Sequence, residues 1–275
     1  LSFLNPLKIL KLARFFRENR IEAVVMALPS DMKCGGLAAR LAGVRDIIYR
    51  RGIGIPVKDT VLNRFLFKRI ITKLIINSRN TGRTILANNP AMIEQNRVHL
   101  VFCGFDVAEF DSMHGSVPFE REPGIVYIGN AGRLTEQKGQ SLLLDAARIL
   151  KDKGLPFRIM IAGAGELEEE LKAKARDLDV EDRVAFLGFV SDMKGFHQGL
   201  DIFALSSLYE GFCYVQVEAM TLEKPVVAFK VSSIPEVVDD GVTGLLAPEK
   251  DIQAFAAHLE TLIKDQELRA DMGCK

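Results

Sequence analysis

No apolar run in this 275-residue chain approaches the roughly 20 residues needed to cross a bilayer, so the sequence contains no helical membrane span. A secretory signal pattern is also absent. Cysteine is sparse: Cys34, Cys103, Cys213 and Cys274 stand apart, with no C-x-x-C pair. That spacing excludes an ordinary zinc site and a disulfide framework, and it suits a reducing cytoplasm. Histidine is as scarce. His99, His114, His197 and His258 occur at no metal-ligand spacing, and none stands beside an obvious serine or cysteine. Metal centres and Ser–His or Cys–His nucleophiles therefore lack support. No G-x-x-x-x-G-K-[ST] loop occurs, which argues against a P-loop nucleotidase. Internal repeats and low-complexity tracts are missing too.

The formal net charge is zero, but its distribution is uneven. Residues 1–110 carry 18 Lys and Arg against 8 Asp and Glu, a balance of +10, and the remainder carries −10. The basic half is densest from Arg50 to Arg83, where Asp59 is the only acid. Such a face attracts anionic lipid, a phosphorylated acceptor or nucleic acid, and the blander reading is a solvated helix face. With 48% hydrophobic and 26% charged residues, the composition is that of a globular protein, long enough for two domains of ordinary size or one large one.

What the chain does have is a regular alternation of strand and helix patterns, as in parallel sheets with crossover helices. The first half reads as a helix over 6–19, a continuous apolar strand over 21–28, a small-residue helix over 35–42 and a strand over 46–49. A helix over 60–70, a strand over 73–76, a helix over 78–88 and a strand over 98–102 follow. The continuous run at 21–28 is expected to be a buried parallel strand. Charges, glycine and proline break the pattern over 108–124, and the linker is placed there, at 111–124. Strands are then expected at 125–131, 157–162, 184–187, 202–205 and 225–229. Helices are expected at 139–153, 166–178, 191–199, from about 213, near 235–238 and over 252–263. Two doubly wound halves place ligands at the carboxyl ends of their strands, in a cleft between them.

Asp201 to Leu222 carries the densest chemistry. After the strand at 202–205 comes a polar turn, then a helix, with Glu210 in the turn and Glu218 in the helix. The amides of Gly211, Phe212 and Cys213, at a helix start, form a natural anion site. A carboxylate beside them suits the hydroxyls of a phosphorylated sugar or ribose. The plainer reading makes Ser207 to Glu210 a capping box and Glu218 a solvated helix residue. Gly132 to Gly139 also joins strand to helix. There Arg133 offers a planar fork for phosphate oxygens, Lys138 a point charge, and Gly132 close backbone approach. Alone, that run could be an ordinary polar turn.

These two runs resemble signatures of glycosyltransferase family 4: S-x-x-E-G-F…E-A-M from Ser207 to Met220, and G-R-L-x-x-x-K-G from Gly132 to Gly139. The likeness spans nearly the whole chain and is most specific over 124–248. It implies an α/β protein of the GT-B arrangement, with two facing doubly wound Rossmann-like domains. The incomplete acceptor-side domain would occupy 1–110 and the nucleotide-sugar donor domain 125–275. The family's leading strand, glycine-rich loop and closing helices have no counterpart here, so the resemblance implies a piece of a longer protein.

By the same resemblance Arg133 and Lys138 hold the donor diphosphate, Glu210 the donor-sugar hydroxyls and Glu218 the ribose. Gly132 and the Gly211, Phe212 and Cys213 amides line the donor, and the loop at Phe189 and Val190 meets the base. A sugar would pass from a nucleotide-diphosphate sugar to a saccharide or lipid-linked acceptor with retention, without cofactor, metal or nucleic acid. The implied setting is surface-glycan or lipopolysaccharide biosynthesis in the cytoplasm, with peripheral contact at an anionic membrane. A nucleotide-sugar epimerase and a non-catalytic binding fragment are the alternatives.

Several positions depart from the family pattern. Ser232 and Ser233 replace its paired glycines, and Ser233 to Glu236 reads as a capping box. Arg50 and Arg51 stand where a histidine is common; they suit an anionic acceptor or a salt-bridged structural role. Cys103 replaces an asparagine and is read as a small buried residue. Asn77-Ser78 matches the family, with Ser78 also a plausible N-cap. Gly163-Ala164-Gly165 lacks the third glycine of a dinucleotide fingerprint and is read as a tight turn.

Overall fold

A computed structural model describes residues 5–275. The chain divides after Cys103 into two compact units. In the first, α1 (Pro6–Glu18), β1 (Ala23–Met26), α2 (Pro29–Ala42) and β2 (Asp46–Arg51) come in turn. Next stand α3 (Val61–Phe65), which runs on into a π-helical turn (Leu66–Ile70), then β3 (Lys73–Ile76), α4 (Arg79–Ile85) and β4 (Val98–Leu100). The four strands are parallel in the order β1-β2-β3-β4. Alternating residues of β2 and β3, Ile47, Tyr49, Leu74 and Ile76, meet Leu66, Phe67 and Ile70 in the core, as the period of two in a strand requires. Ser78 caps α4 by accepting from the Thr81 N–H at 2.9 Å, in line with one of its two sequence readings.

β1 departs from expectation. It is four residues long, with Val25 62% exposed. Burial on both faces belongs to central parallel strands, whereas among the described residues β1 stands at the edge and pairs only with β2.

The second unit opens with α5 (Val107–Ser112), β5 (Val126–Ala131), α6 (Gln140–Asp152), β6 (Phe157–Ala162), α7 (Glu168–Asp177) and β7 (Val184–Gly188). It continues through α8 (Met193–Gln198), β8 (Ile202–Leu205), α9 (Tyr214–Thr221), β9 (Val226–Phe229), β10 (Gly244–Ala247), α10 (Ile252–Lys264) and α11 (Gln266–Cys274). Its parallel sheet has the order β10-β9-β8-β5-β6-β7. The chain winds outward from β5 through β6 to β7, then returns to β8 and winds the other way. The reversal between β5 and β8 is a topological switch point, and open α/β sheets bind ligands outside the carboxyl ends of the strands there. All six residues of β5 and all four of β8 are buried.

The stretch read as a linker is held to this unit. Asp106 caps α5 through the Glu109 N–H at 2.9 Å, and Lys194 donates to the Asp111 carbonyl at 2.6 Å. The Ser116 N–H reaches Asp192 at 2.7 Å, and the Phe119 ring stacks on Tyr127 with centroids 5.5 Å apart. Charges, glycine and proline suggest an interdomain linker, but two aromatics hold the stretch here: Phe119, stacked on Tyr127, and Phe110, whose ring lies 5.9 Å from Lys194 Nζ.

Candidate functional site

Two loops leave the sheet at the switch point, residues 132–139 after β5 and residues 206–213 after β8. They are fastened to each other by main-chain and side-chain bonds. The Leu208 N–H donates to the Gln137 carbonyl at 2.8 Å, and Gln137 Nε2 donates to the Tyr209 carbonyl at 3.0 Å. Ser206 Oγ donates to the Lys138 carbonyl at 3.1 Å. Gly139, at φ +61°, starts α6 so near the second loop that a Cβ there would lie 2.2 Å from the Ser206 oxygen. Only glycine meets both the backbone angle and the approach. Gly163 plays a similar part beneath the first loop, where an added Cβ would lie 1.9 Å from the Gly132 oxygen. The Gly163-Ala164-Gly165 turn therefore serves close packing, in keeping with the tight turn read from sequence.

Glu210 is 6% exposed. Its Oε1 accepts from Lys138 Nζ at 2.7 Å and from Ser207 Oγ at 2.6 Å, and Ser233 Oγ donates to its carbonyl at 3.4 Å. Oε2 accepts no hydrogen bond among the described residues, so one oxygen is committed and the other is open to a ligand hydroxyl. Lys138 and Glu210 side chains are 16% and 5% exposed. At that depth an ion pair holds its geometry, and removing either partner strands a buried charge.

Neither capping box read from sequence is formed. Ser207 turns to the carboxylate of Glu210, and α9 begins at Tyr214 with Cys213 as an N-cap that makes no side-chain bond. Ser233 likewise makes no cap bond at the 3₁₀ turn Ile234–Glu236, because its hydroxyl is spent on Glu210. In both places the serine hydroxyl bonds to Glu210 instead of a helix end.

Cys213 adopts φ +53°, which bends the chain into α9. The amide groups of Gly211, Phe212 and Cys213 donate to no acceptor among the described residues. Burial, with a smaller contribution from the Glu210 carboxylate, pushes the Cys213 thiol up to about 12. It stays protonated and is no nucleophile.

Glu218 lies on α9 and was read as a ligand-binding acid or a solvated residue. It is neither alone nor fully solvated: His197 Nε2 stands 3.4 Å from its Oε2, and its side chain is 19% exposed. His197 is fully buried between Phe196 and Phe203, with ring centroids 5.4 and 5.2 Å away. Burial pushes its imidazole below the ordinary value, against the opposing pull of Glu218. The ring is therefore neutral near pH 7 and can donate one N–H to the carboxylate. Sequence reading missed His197, since no spacing rule links α8 to α9.

Arg133, Gly132, Phe189, Val190 and Val215 line one cavity of about 450 Å³. The Arg133 carbonyl accepts from Gln140 Nε2 at 3.1 Å, which fixes the backbone. Its guanidinium makes no bond among the described residues, and Phe189 is 83% exposed. Glu218 lines a second cavity of about 760 Å³ with Asp106, His114 and Lys194. Ser191 and Met193 wall both cavities, so the two adjoin. Every second-unit candidate thus comes from the loops or helix at one sheet edge.

The first-unit candidates differ. Arg50 is exposed, with Nη2 3.9 Å from Cys103 Sγ, and Cys103 itself is only partly buried. Arg51 is buried, yet among the described residues no salt bridge holds it: its partners are the Tyr49 hydroxyl and the Ile53 and Ile55 carbonyls. Asn77 Nδ2 donates to the Gly52 carbonyl at 3.0 Å. Among the described residues no helix is long and apolar enough to cross a membrane.

Residues 118–275 match the family model described as glycosyl transferases group 1. The chain is 42% identical over 140 residues to the amylovoran biosynthesis glycosyltransferase AmsK of Erwinia amylovora, covering 48% of this chain and 34% of AmsK. It is 32% identical to the putative glycosyltransferase EpsF of Bacillus subtilis over 94% of this chain and 70% of EpsF. In the first three curated relatives it matches, the chain spans between 34% and 42% of their length. Anabaena Alr3699/HepE, solved in complex with UDP, superposes with a TM-score of 0.79 at 22% identity, over 96% of this chain and 74% of that one. That likeness shows the fold, two Rossmann-like α/β units of the GT-B class. The chain belongs to the family of group 1 glycosyl transferases.

Proposed function

We propose that the chain moves a sugar from a nucleotide-diphosphate donor to a saccharide or lipid-linked acceptor in surface-polysaccharide biosynthesis, with retention of configuration. The observation that carries this reading is the Lys138–Glu210 pair, which clasps two loops at the switch point; the same two loops bear Arg133, with its unbonded guanidinium, and the unbonded amides of 211–213. When the anomeric C–O bond breaks, negative charge gathers on the departing diphosphate. Arg133 supplies a fork, Lys138 the ammonium hydrogens left over from Glu210, and the loop amides further donors, all in place before the charge develops. Glu210 Oε2 then accepts from a donor-sugar hydroxyl, and Glu218 from the ribose, in the orientation His197 gives it.

On this reading the acceptor oxygen attacks from the face the diphosphate leaves. Its proton passes to a diphosphate oxygen, so no protein base is required and no step is assigned to a metal. The amylovoran name of the AmsK relative supports a polysaccharide product, and the UDP held by the Anabaena neighbour makes uridine the first base to test. The basic residues of the first half fit work beside an anionic membrane on its cytoplasmic face. Relatives named as glycosyltransferases favour transfer over epimerisation. Calorimetric titration with UDP, GDP and ADP, followed by donor incubated with and without acceptor, tests the proposal. Nucleoside diphosphate binding with sugar release to acceptor alone is expected; an isomerised nucleotide sugar without acceptor would contradict transfer.

A further inference from the structure

The first unit holds a cavity of about 380 Å³ walled by Lys33, Tyr49, Arg51, Lys58, Thr60 and Asn63. It sits at the carboxyl edge of the sheet, because β1 leads into α2 at Pro29 and Arg51 is the last residue of β2. Parallel sheets take ligands at that edge. Its lining contains three cations and no acid.

Arg51 makes the pocket unusual. The residue is 9% exposed, and its partners among the described residues are all neutral. Nη1 donates to the Tyr49 hydroxyl at 2.9 Å, and Nη2 to the Ile55 and Ile53 carbonyls at 3.1 and 3.5 Å. Nε is buried without a partner. The Tyr49 ring, 5.7 Å from the guanidinium carbon, adds a cation–π contact but no charge. Among the described residues no carboxylate stands within ion-pair distance. Nearby acids are engaged elsewhere: Asp31 with the Leu28 N–H at 3.3 Å, and Asp59 with Arg64 at 2.7 Å and Asn89 at 3.0 Å. Buried charges are ordinarily paired, since an isolated one forfeits its hydration.

We propose that this pocket binds the phosphoryl or pyrophosphoryl group of a phosphorylated acceptor. Arg51 supplies the fixed buried charge, and Lys33 and Lys58 bring ammonium groups on flexible stems. A phosphomonoester carries close to two negative charges near pH 7, which matches a wall of several cations better than a single carboxylate does. Naming the ligand as the acceptor rests on the transfer reading above; the anion site itself does not.

The test is calorimetric titration of the full chain with inorganic pyrophosphate, in wild type and in Arg133→Ala, which weakens the proposed donor pocket. Wild type is expected to show two sites and Arg133→Ala to keep the first-unit one. Lys33→Ala/Lys58→Ala should weaken that site by about tenfold or more, as losing a charge-assisted hydrogen bond does, and Arg51→Met should abolish it. Should Arg51→Met fail to fold, the lysine pair still decides. Pyrophosphate binding unchanged in the lysine and Arg51 variants, or absent from wild type, overturns the proposal. Loss of neither site in Arg133→Ala counts against the donor reading alone. Competition by phosphatidylglycerol vesicles would assign the phosphate to a lipid headgroup, and its absence to a water-borne group.

Discussion

Lys138 Nζ lies 2.7 Å from Glu210 Oε1, joining residues 72 positions apart in the chain. Around that contact the loop after β5 and the loop after β8 become one structure. Ser207 adds a second bond to the same oxygen at 2.6 Å, so the carboxylate has a single orientation.

Breaking the pair from one side leaves an uncompensated buried charge. Lys138→Ala or Glu210→Ala is expected to cost about 3–5 kcal/mol of stability, read as a drop in the urea midpoint. Removing both together should cost less than the two single changes added, because each single variant strands its partner. In the proposed reaction, loss of Lys138 is also expected to lower kcat by about 10²–10³, as for one preorganised donor to a developing anion.

His197 gives a pH signature. Its folded-state pKa is depressed by burial, so the unfolded chain binds the proton more readily. The stability it contributes is whole above the unfolded value of about 6.5 and is lost as pH falls toward the lower folded value. Urea midpoints at about pH 7.5 and about pH 5 should differ less in His197→Gln than in wild type. Equal differences would mean that another group controls the acid limb.

Cysteine labelling checks the burial of the second loop. With its thiol pushed up to about 12 and its side chain buried, Cys213 should resist iodoacetamide at about pH 8 in the folded protein. Cys274, which is exposed, should react at once. Peptide mapping after brief alkylation distinguishes them, and Cys213 should react only after unfolding.

Much of this framework was legible in the sequence because buried parallel strands read as short apolar runs bounded by turns. Lys73–Ile76, Phe157–Ala162 and Ile202–Leu205 have the bounds expected of them. β10 escaped notice because Gly244–Ala247 is short and begins on glycine, and α11 because only Asp265 separates it from α10. Edge placement, which exposes Val25, leaves no mark in an apolar run. Within the site, the residue types that bind phosphate and hydroxyls were readable, but their partners were not. The S-x-x-E spacing at Ser207 and Ser233 is the same whether the serine caps a helix or bonds to Glu210, through its carboxylate at Ser207 and its carbonyl at Ser233, and only the fold decides. Arg51 shows the same limit: its sequence neighbourhood is basic, yet three neutral oxygens hold it.

The most direct measurement is UDP affinity in wild type, Arg133→Ala and Glu218→Ala. Wild type should bind UDP, and each substitution should weaken binding by about tenfold or more, Arg133 through the diphosphate and Glu218 through the ribose. Affinity unchanged in both variants would contradict the assignment of the β5–β8 switch point as the donor site.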